Sequence, residues 1–352
     1  MGEIYHGSQI PNLKELTPHK STHGNYVYAT KDKNIALLFS NHIFNDFLLT
    51  IYKNEETGAY ELTERVPGIL DKAFQKDSTI YTLNDETFKD IHTGFNEVVS
   101  EETVPVMKEE HIENIYTEIK KLEQSGIFKL YTYPNRPQNI PNNDSDLLQK
   151  ELNQINRTGK QINEESFDRL LLLHPNLLPM INQYIIENNL EITPFKKEDI
   201  LNIYGKYLSY QMIVPNERFN LDISAHMIAT TYPEFIPAIQ NMSQILSANK
   251  ETKIIFMLNT LSTNLDDESK LELANKSQKY LTDERSISEI GKDINIECKN
   301  LKTNSKNRLQ KQQLNNVRKK VLVKNGFTSI SILIIIIVVL LFIIGIILMN
   351  NV

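Results

Sequence analysis

Short apolar and aromatic runs alternate with polar turns along the first 133 residues. Runs of this length, bounded by turn-forming residues, are typical of β-strands. The predicted strands are Tyr26–Tyr28, Phe47–Tyr52, Thr79–Leu83, Glu97–Ser100 and Phe128–Tyr133. Apolar residues at helical spacing predict helices at Lys33–Phe44 and Glu109–Glu123 among these strands. The pattern therefore predicts an α+β domain over residues 1–133.

The pattern changes after residue 133. The segment Pro134–Asp146 holds three prolines among Asn, Asp and Ser residues, which predicts a linker. From residue 147 to residue 265, apolar residues recur at helical spacing and prolines separate one segment from the next, so we predict an all-α domain. Its predicted helices are Phe167–Leu173, Leu177–Asn188, Lys196–Tyr210, Ile223–Ile228, Pro233–Leu246 and Lys253–Leu258.

Polar residues dominate the next segment, residues 266–326. Ile287, Ile290, Ile294 and Leu301 keep a helical spacing, and the apolar pattern then thins among Asn and Gln residues. This is too short a repeat for a sustained coiled coil. The segment is predicted to form a polar helical stalk with a basic end.

A purely aliphatic run follows the stalk. Ile332–Met349 contains 18 residues without a charge or a strongly polar group, and Phe327–Ser331 extends it. A helix needs about 20 mostly apolar residues to cross a bilayer. The alternative, a buried core helix, would be expected to show an amphipathic period that this run lacks. Residues 327–349 are therefore predicted to form a single-pass transmembrane anchor near the C-terminus.

The distribution of charge predicts the orientation of this anchor. Between Lys299 and Lys324 there are nine Lys and Arg residues and no acidic residue. The positive-inside rule places this basic stem, and the N-terminal bulk with it, in the cytosol. The stem would also favour anionic membrane lipids; the alternative is a solvated spacer beside the membrane without a specific lipid role. The net charge of −6 gives no reason to expect nucleic-acid binding, and the single cysteine, Cys298, excludes an intramolecular disulfide.

Candidate chemistry lies in three short motifs near the N-terminus. The first is Tyr5-His6-Gly7-Ser8, the second runs from Tyr26 to Ala36 as YVYATKDKNIA, and the third is Asn96-Glu97-Val98-Val99-Ser100. Each has an ordinary structural interpretation: a strand histidine, a core tyrosine and a solvated glutamate. The order and spacing of the three motifs are more specific than any one motif alone.

Together, the motifs resemble the signature of the ADP-ribosyltransferase superfamily of the diphtheria-toxin and poly-ADP-ribose-polymerase type. In that family a His, a Tyr and a Glu lie on three separate strands, and T-x-D-x-x-x-A follows the second strand and opens a helix. His6, Tyr28 and Glu97 match the three positions, and Thr30, Asp32 and Ala36 match the tail of the second motif. The resemblance covers residues 1–133 and implies a split β-sandwich there, with NAD as the substrate that supplies ADP-ribose.

The resemblance also implies a role for each residue. Glu97 would stabilise the positive charge that develops on the ribose, Tyr28 would stack on the nicotinamide ring, and His6 would bind a ribose hydroxyl. Gly7, Ser8 and Tyr26 complete the expected set of NAD-binding residues. Because side chains alternate along a strand, Tyr26 lies on the same face as Tyr28 and competes with it for the stacking role. Glu101 and Glu102, which follow closely in the chain, are alternative candidates for the role of the Glu97 carboxylate.

Two functions remain open from the sequence. The first is a membrane-tethered, NAD-dependent ADP-ribosyltransferase that modifies a protein or another acceptor. The second is a non-catalytic interaction protein that displays a degenerate transferase-like domain at a membrane. A metal site is not expected, because His19 and His23 lie in a loop without a third ligand at a suitable spacing.

Overall fold

The computed structural model describes residues 2–21, 24–41, 45–92, 95–217 and 219–325. The described residues divide between two compact units, one within Met1–Tyr204 and Asn220–Gln240 and the other within Gly205–Phe219 and Asn241–Val352. The strands are β1 (Glu3–Ser8), β2 (Glu15–Leu16), β3 (His19–Ser21), β4 (Gly24–Thr30), β5 (Leu49–Lys53), β6 (Tyr60–Glu64), β7 (Ser78–Asn84), β8 (Lys89–Asp90), β9 (Glu97–Ser100), β10 (Val104–Pro105), β11 (Lys108–Ile112) and β12 (Phe128–Tyr131). The α-helices are α1 (Lys33–Phe39), α2 (Ile69–Phe74), α3 (Ile115–Gln124), α4 (Ser145–Thr158), α5 (Asp168–Leu173), α6 (Leu178–Glu187), α7 (Lys197–Ile213), α8 (Leu221–Thr231), α9 (Ile236–Ser243), α10 (Lys250–Leu261), α11 (Asp267–Leu281) and α12 (Ile287–Asn325).

The strands of the first unit form three sheets. The largest has seven strands in the order β11-β7-β1-β4-β9-β8, with β3 paired to β4 beside this path, and all its pairs are antiparallel. Strands β2 and β10 form a two-stranded sheet, and β12, β6 and β5 form a three-stranded sheet in which β12 runs parallel to β6. The apolar core on the large sheet includes Ile4, Val27, Tyr81 and Val98.

A buried ion cluster joins segments that are far apart in the first unit. Arg65, which follows β6, lies 2.9 Å from Asp144 and 2.6 Å from Asp146 at the start of α4. Arg136 lies 2.8 Å from Asp144, and His174, which follows α5, lies 3.4 Å from it. The Arg65 and His174 side chains are fully buried. Part of the segment predicted as a linker, between β12 and α4, is thus held by buried charges.

The fold class expected from the sequence is wrong. An α+β split β-sandwich followed by an all-α region, a polar stalk and a transmembrane helix was expected, whereas the chain is mixed α/β with three sheets and twelve α-helices among the described residues. The sheets share one compact unit with α4, α5, α6 and α8. Apolar periodicity identifies helices, but it carries no information about which elements pack together.

The predicted stalk is part of a packed core in the second unit. Leu273 and Tyr280 of α11 and Ile290, Ile294 and Leu301 of α12 are buried. They pack in one cluster with the α10 residues Ile254 and Met257. One apolar stripe is enough to bury a helix whose other faces are polar. The helical spacing of Ile290, Ile294 and Leu301 was visible in the sequence, but the partners that bury these residues were not.

The predicted transmembrane span, residues 327–349, lies outside the described residues. Within the described part of the chain, none of the helices combines the length and the apolar composition that crossing a bilayer requires.

The predicted helix Glu109–Glu123 is also corrected in its first half. Residues Lys108–Ile112 form β11, which pairs with β7, and the helix begins only after Asn114. The Asn114 side chain accepts a hydrogen bond of 2.8 Å from the Thr117 amide, so Asn114 is the N-cap that fixes the start of α3.

Candidate active site

The three predicted site residues lie on three neighbouring strands of the large sheet. His6 is on β1, Tyr28 is on the adjacent β4, and Glu97 is the first residue of the next strand, β9. In the register of β4 and β9, Thr30 lies opposite Glu97, and Tyr28 is one strand repeat away on the same face.

Strands β1 and β4 pair at a single position, Tyr5 opposite Thr30. Beyond this pair, the ladder between the two strands does not continue. The His6 Nδ1 atom lies 2.7 Å from the carbonyl oxygen of Tyr28. Because a carbonyl oxygen only accepts hydrogen bonds, Nδ1 is the donor, which fixes the orientation of the imidazole at this gap.

The gap contains a cavity of about 890 Å³. Of the residues predicted for NAD binding and catalysis, five line it: His6, Gly7, Ser8, Tyr28 and Glu97. The volume is within the range of about 300–1,000 Å³ that is usual for small-molecule sites. The structure therefore brings most of the predicted residues together around one cavity.

Gly7 allows helix α1 to approach β1 closely. A Cβ atom at this position would lie 2.0 Å from the carbonyl oxygen of Ala36 and 2.8 Å from the backbone nitrogen of Ser40. Such distances are far shorter than a van der Waals contact, so only glycine fits. Gly7 and Ala36 of the two motifs thus meet at the wall of the cavity, which both of them line.

The second motif begins helix α1 and ties it to the rest of the unit. The Asp32 side chain caps α1 by accepting a hydrogen bond of 2.9 Å from the Asn34 amide. Its other carboxylate oxygen accepts a hydrogen bond of 2.6 Å from the hydroxyl of Tyr60. Burial and this contact with Asp32 raise the pKa of the Tyr60 phenol, so the hydroxyl stays a donor.

Tyr28 is held among aromatic rings. Its ring packs edge-on against that of Tyr26, with 6.0 Å between the centroids, and the His19 ring lies at the same distance on a tilted plane. The buried Tyr28 hydroxyl contacts no hydrogen-bond partner among the described residues. An unsatisfied hydroxyl in a cavity wall is available to a ligand.

Three predicted or competing residues do not line the cavity. The Tyr26 ring packs against Tyr28 and lies 5.8 Å below the ammonium group of Lys89. Lys89 also forms an ion pair of 2.5 Å with Glu101. Neither Tyr26, Glu101 nor Glu102 is among the residues that line the cavity. Tyr28 and Glu97, in contrast, both line it.

Several lining residues were not predicted from the sequence. Glu15 and His19 belong to the segment between β1 and β4, which is brought over the cavity in part by the pairing of β2 with β10. Asn41 also lines the cavity; it is buried and donates a hydrogen bond to the carbonyl oxygen of Ala73. A two-residue strand pair and a long-range side-chain contact leave no periodic signal in the sequence.

The described residues that line the cavity include acidic groups and imidazoles. Glu15 and Glu97 contribute two carboxylates, and His6 and His19 contribute two imidazoles. None of the described residues that line the cavity is a Lys or an Arg. Among the described residues, those of the cavity included, no three His, Cys, Asp or Glu side chains are grouped so that they could hold a metal ion.

Comparisons of the chain with known protein families, with curated proteins and with solved structures find no similar protein.

Proposed function

We propose that this protein is an NAD-dependent ADP-ribosyltransferase. The observation that carries the proposal is the convergence of His6, Tyr28 and Glu97, on three adjacent strands, around one cavity of about 890 Å³. The match of these residues to the His, Tyr and Glu motifs of that superfamily supports the same function.

The proposed reaction breaks the bond between the nicotinamide nitrogen and the ribose, and the bonding electron pair leaves with nicotinamide. The Glu97 carboxylate stabilises the positive charge that develops on the ribose, as preorganised groups do in glycoside cleavage. An oxygen or nitrogen of the acceptor then forms a bond to the ribose carbon and releases its proton to water.

Other residues of the cavity bind and orient the substrate. The Tyr28 ring offers a stacking surface for nicotinamide, and its hydroxyl, which contacts no partner among the described residues, offers a hydrogen bond. In a neutral imidazole the donation from His6 Nδ1 to Tyr28 leaves Nε2 as an acceptor, which suits a ribose hydroxyl.

One observation favours a second function. Because the cavity has two carboxylates and no Lys or Arg among its described lining residues, its charge does not favour the pyrophosphate of NAD. A non-catalytic interaction protein with a degenerate transferase-like domain would have no need of that pyrophosphate. A location at a membrane stays a prediction from residues outside the described part of the chain.

Nicotinamide release separates the two functions. The full chain is incubated with NAD, released nicotinamide is quantified, and NAD affinity is measured by calorimetry. A transferase releases nicotinamide, and the Glu97→Gln variant does so far more slowly while still binding NAD. The matched control is Glu102→Gln, a nearby carboxylate that does not line the cavity. Absence of NAD binding by the wild-type chain at millimolar NAD would leave only the non-catalytic function.

A further inference from the structure

A second recess of about 580 Å³ lies in the first unit, next to the cavity that contains His6 and Glu97. We name it the cationic recess and define it by Lys150, Arg157 and Arg169 together with Phe39, Phe47 and Phe95. The proposed transferase chemistry uses none of the three cations.

The cations come from two helices. Lys150 and Arg157 are seven residues apart on α4, which is about two helical turns and places both on one face. Arg169 is on α5, and its guanidinium carbon lies 5.6 Å from the centre of the Phe47 ring. The carboxylate among the lining residues, that of Asp46, lies 3.6 Å from Lys150. The Lys150 ammonium group also lies 4.0 Å from Asp146, which is not among the lining residues. Among the described lining residues, three cations against one carboxylate still leave an excess of positive charge that suits an anion.

Phenylalanine rings form the apolar wall of the recess. Phe39 and Phe95 meet edge to face, with 5.7 Å between their centroids and 82° between their planes. Aromatic rings beside cationic groups provide both a stacking surface and charge for a ligand with a flat ring and an anionic group.

The recess adjoins the proposed catalytic cavity directly. Phe39 lines both spaces, and Phe95 is two residues before Glu97 in the chain. A ligand in the recess would therefore lie next to the position where the ribose reacts.

We propose that the cationic recess binds a nucleoside monophosphate, which serves as the acceptor of ADP-ribose. The phosphate contacts Lys150, Arg157 and Arg169, and the base packs against the phenylalanine rings. The acceptor role rests on the proposed transferase function, whereas the binding of the nucleotide does not. In the transfer, a base or hydroxyl atom of the nucleotide bonds to the ribose carbon as nicotinamide leaves with its electron pair, and the proton of that atom passes to water.

Uridine monophosphate is a suitable probe because it contains neither the adenine nor the nicotinamide of NAD. Its affinity for the full chain is measured by calorimetry and compared with that of the double variant Arg157→Gln with Arg169→Gln. Loss of two charged contacts should weaken binding by about tenfold or more. Lys160→Gln is the matched control, because Lys160 is exposed just after α4 and does not line the recess.

A comparison with NAD distinguishes the two proposals. The double variant should bind NAD with unchanged affinity, and Tyr28→Ala should weaken NAD binding but leave uridine monophosphate binding unchanged. If wild-type chain binds uridine monophosphate but not NAD, the transferase proposal fails and the nucleotide site stands.

Four results would overturn the nucleotide site. One is no uridine monophosphate binding at millimolar concentration, and another is an equal loss in Lys160→Gln. The third is inorganic phosphate binding as tightly as the nucleotide, which would leave no role for the rings. The fourth is an equal weakening of NAD binding in the double variant, which would make the recess part of the NAD site.

Discussion

Thr30 Oγ1 donates a hydrogen bond of 2.9 Å to the carbonyl oxygen of Phe95. This bond joins the end of β4 to the residue two positions before Glu97. The backbone amide of Lys31 adds a bond of 3.2 Å to the carbonyl oxygen of Asn96. Because Thr30 is 3% exposed, the bond is shielded from water, and it helps to hold Glu97 beside the cavity.

We expect Thr30→Val to destabilise the protein. The substitution keeps the shape of the side chain but leaves the Phe95 carbonyl oxygen without its donor, which costs about 1–3 kcal/mol. Urea unfolding followed by circular dichroism measures the change. Thr30→Ser is the control, since it keeps the hydroxyl and should lose less stability than Thr30→Val. Equal stability of Thr30→Val and wild type would show that the bond does not hold this junction.

Gly7→Ala should separate β1 from α1. The new methyl group would overlap the carbonyl oxygen of Ala36, so one element must shift, and overpacking of this kind costs about 1–3 kcal/mol. The melting temperature should fall. Ser8→Ala, at the neighbouring position, removes an exposed hydrogen bond to the Ile10 amide and should have a smaller effect. A melting temperature of Gly7→Ala equal to that of the wild type would mean that the close approach is not required.

If the protein is a transferase, Glu97→Gln should slow nicotinamide release by about 10²–10³. The substitution keeps the size of the side chain and removes the charge that opposes the positive ribose. Tyr28→Ala should instead weaken NAD binding, because stacking also acts before the reaction. Tyr26→Ala should have little effect on NAD affinity, since Tyr26 does not line the cavity. A larger loss of affinity in Tyr26→Ala than in Tyr28→Ala would reverse the assignment of the stacking ring.

Local signals in the sequence were sufficient for the elements that carry the site. Glu97–Ser100 was predicted as a strand and is β9, and the predicted helix from Lys33 begins at that residue because Asp32 caps it. Capping and strand propensity act over a few residues, so they can be read directly from the chain. The expectation that His6, Tyr28 and Glu97 lie on three separate strands came from a motif pattern, not from these local signals, and that the three strands are neighbours is seen only in the structure.

Contacts between residues far apart in the chain could not be predicted from the sequence. Arg65 and Asp144 are separated by 79 residues, and no periodic pattern connects them. Residues 109–112 of β11 were predicted as helix, because pairing with β7, rather than composition, determines their conformation. Glu15 and His19 line the cavity for the same reason, since the path of their segment depends on partners elsewhere in the chain.

The ion cluster around Asp144 should make stability depend on pH. Burial alone would raise the pKa of Asp144, but contacts with His174, Arg136 and Arg65 outweigh burial and lower the pKa below its usual value. A lowered pKa in the folded state stabilises the protein above the unfolded pKa of about 4. This stabilisation should be lost as the pH falls below that value.

Asp144→Asn tests this dependence. The variant should lose about 3–5 kcal/mol at neutral pH, because Arg65 and Arg136 remain buried without their shared carboxylate. Its free energy of unfolding should also vary less between about pH 3 and pH 5, a range that spans about one unit on either side of the usual carboxyl pKa. Asp77→Asn, at an exposed position, should keep the wild-type pH profile. An unchanged profile in Asp144→Asn would exclude this carboxyl as a source of acid sensitivity.

Cys298 should resist alkylation in the folded protein. It is 5% exposed within the core of the second unit, and burial, followed by the nearby charge of Glu297, raises the pKa of its thiol to about 12. Because the thiolate is the reactive form, its fraction at pH 8 falls by more than about a thousandfold relative to an ordinary cysteine. Iodoacetamide labelling followed by mass spectrometry should give slow modification without urea and fast modification in urea. The control places an exposed cysteine on the same helix, as Asn300→Cys in a Cys298→Ser background, and it should react fast in both conditions. Native Cys298 that reacts as fast as this control would show that α12 is not packed as described.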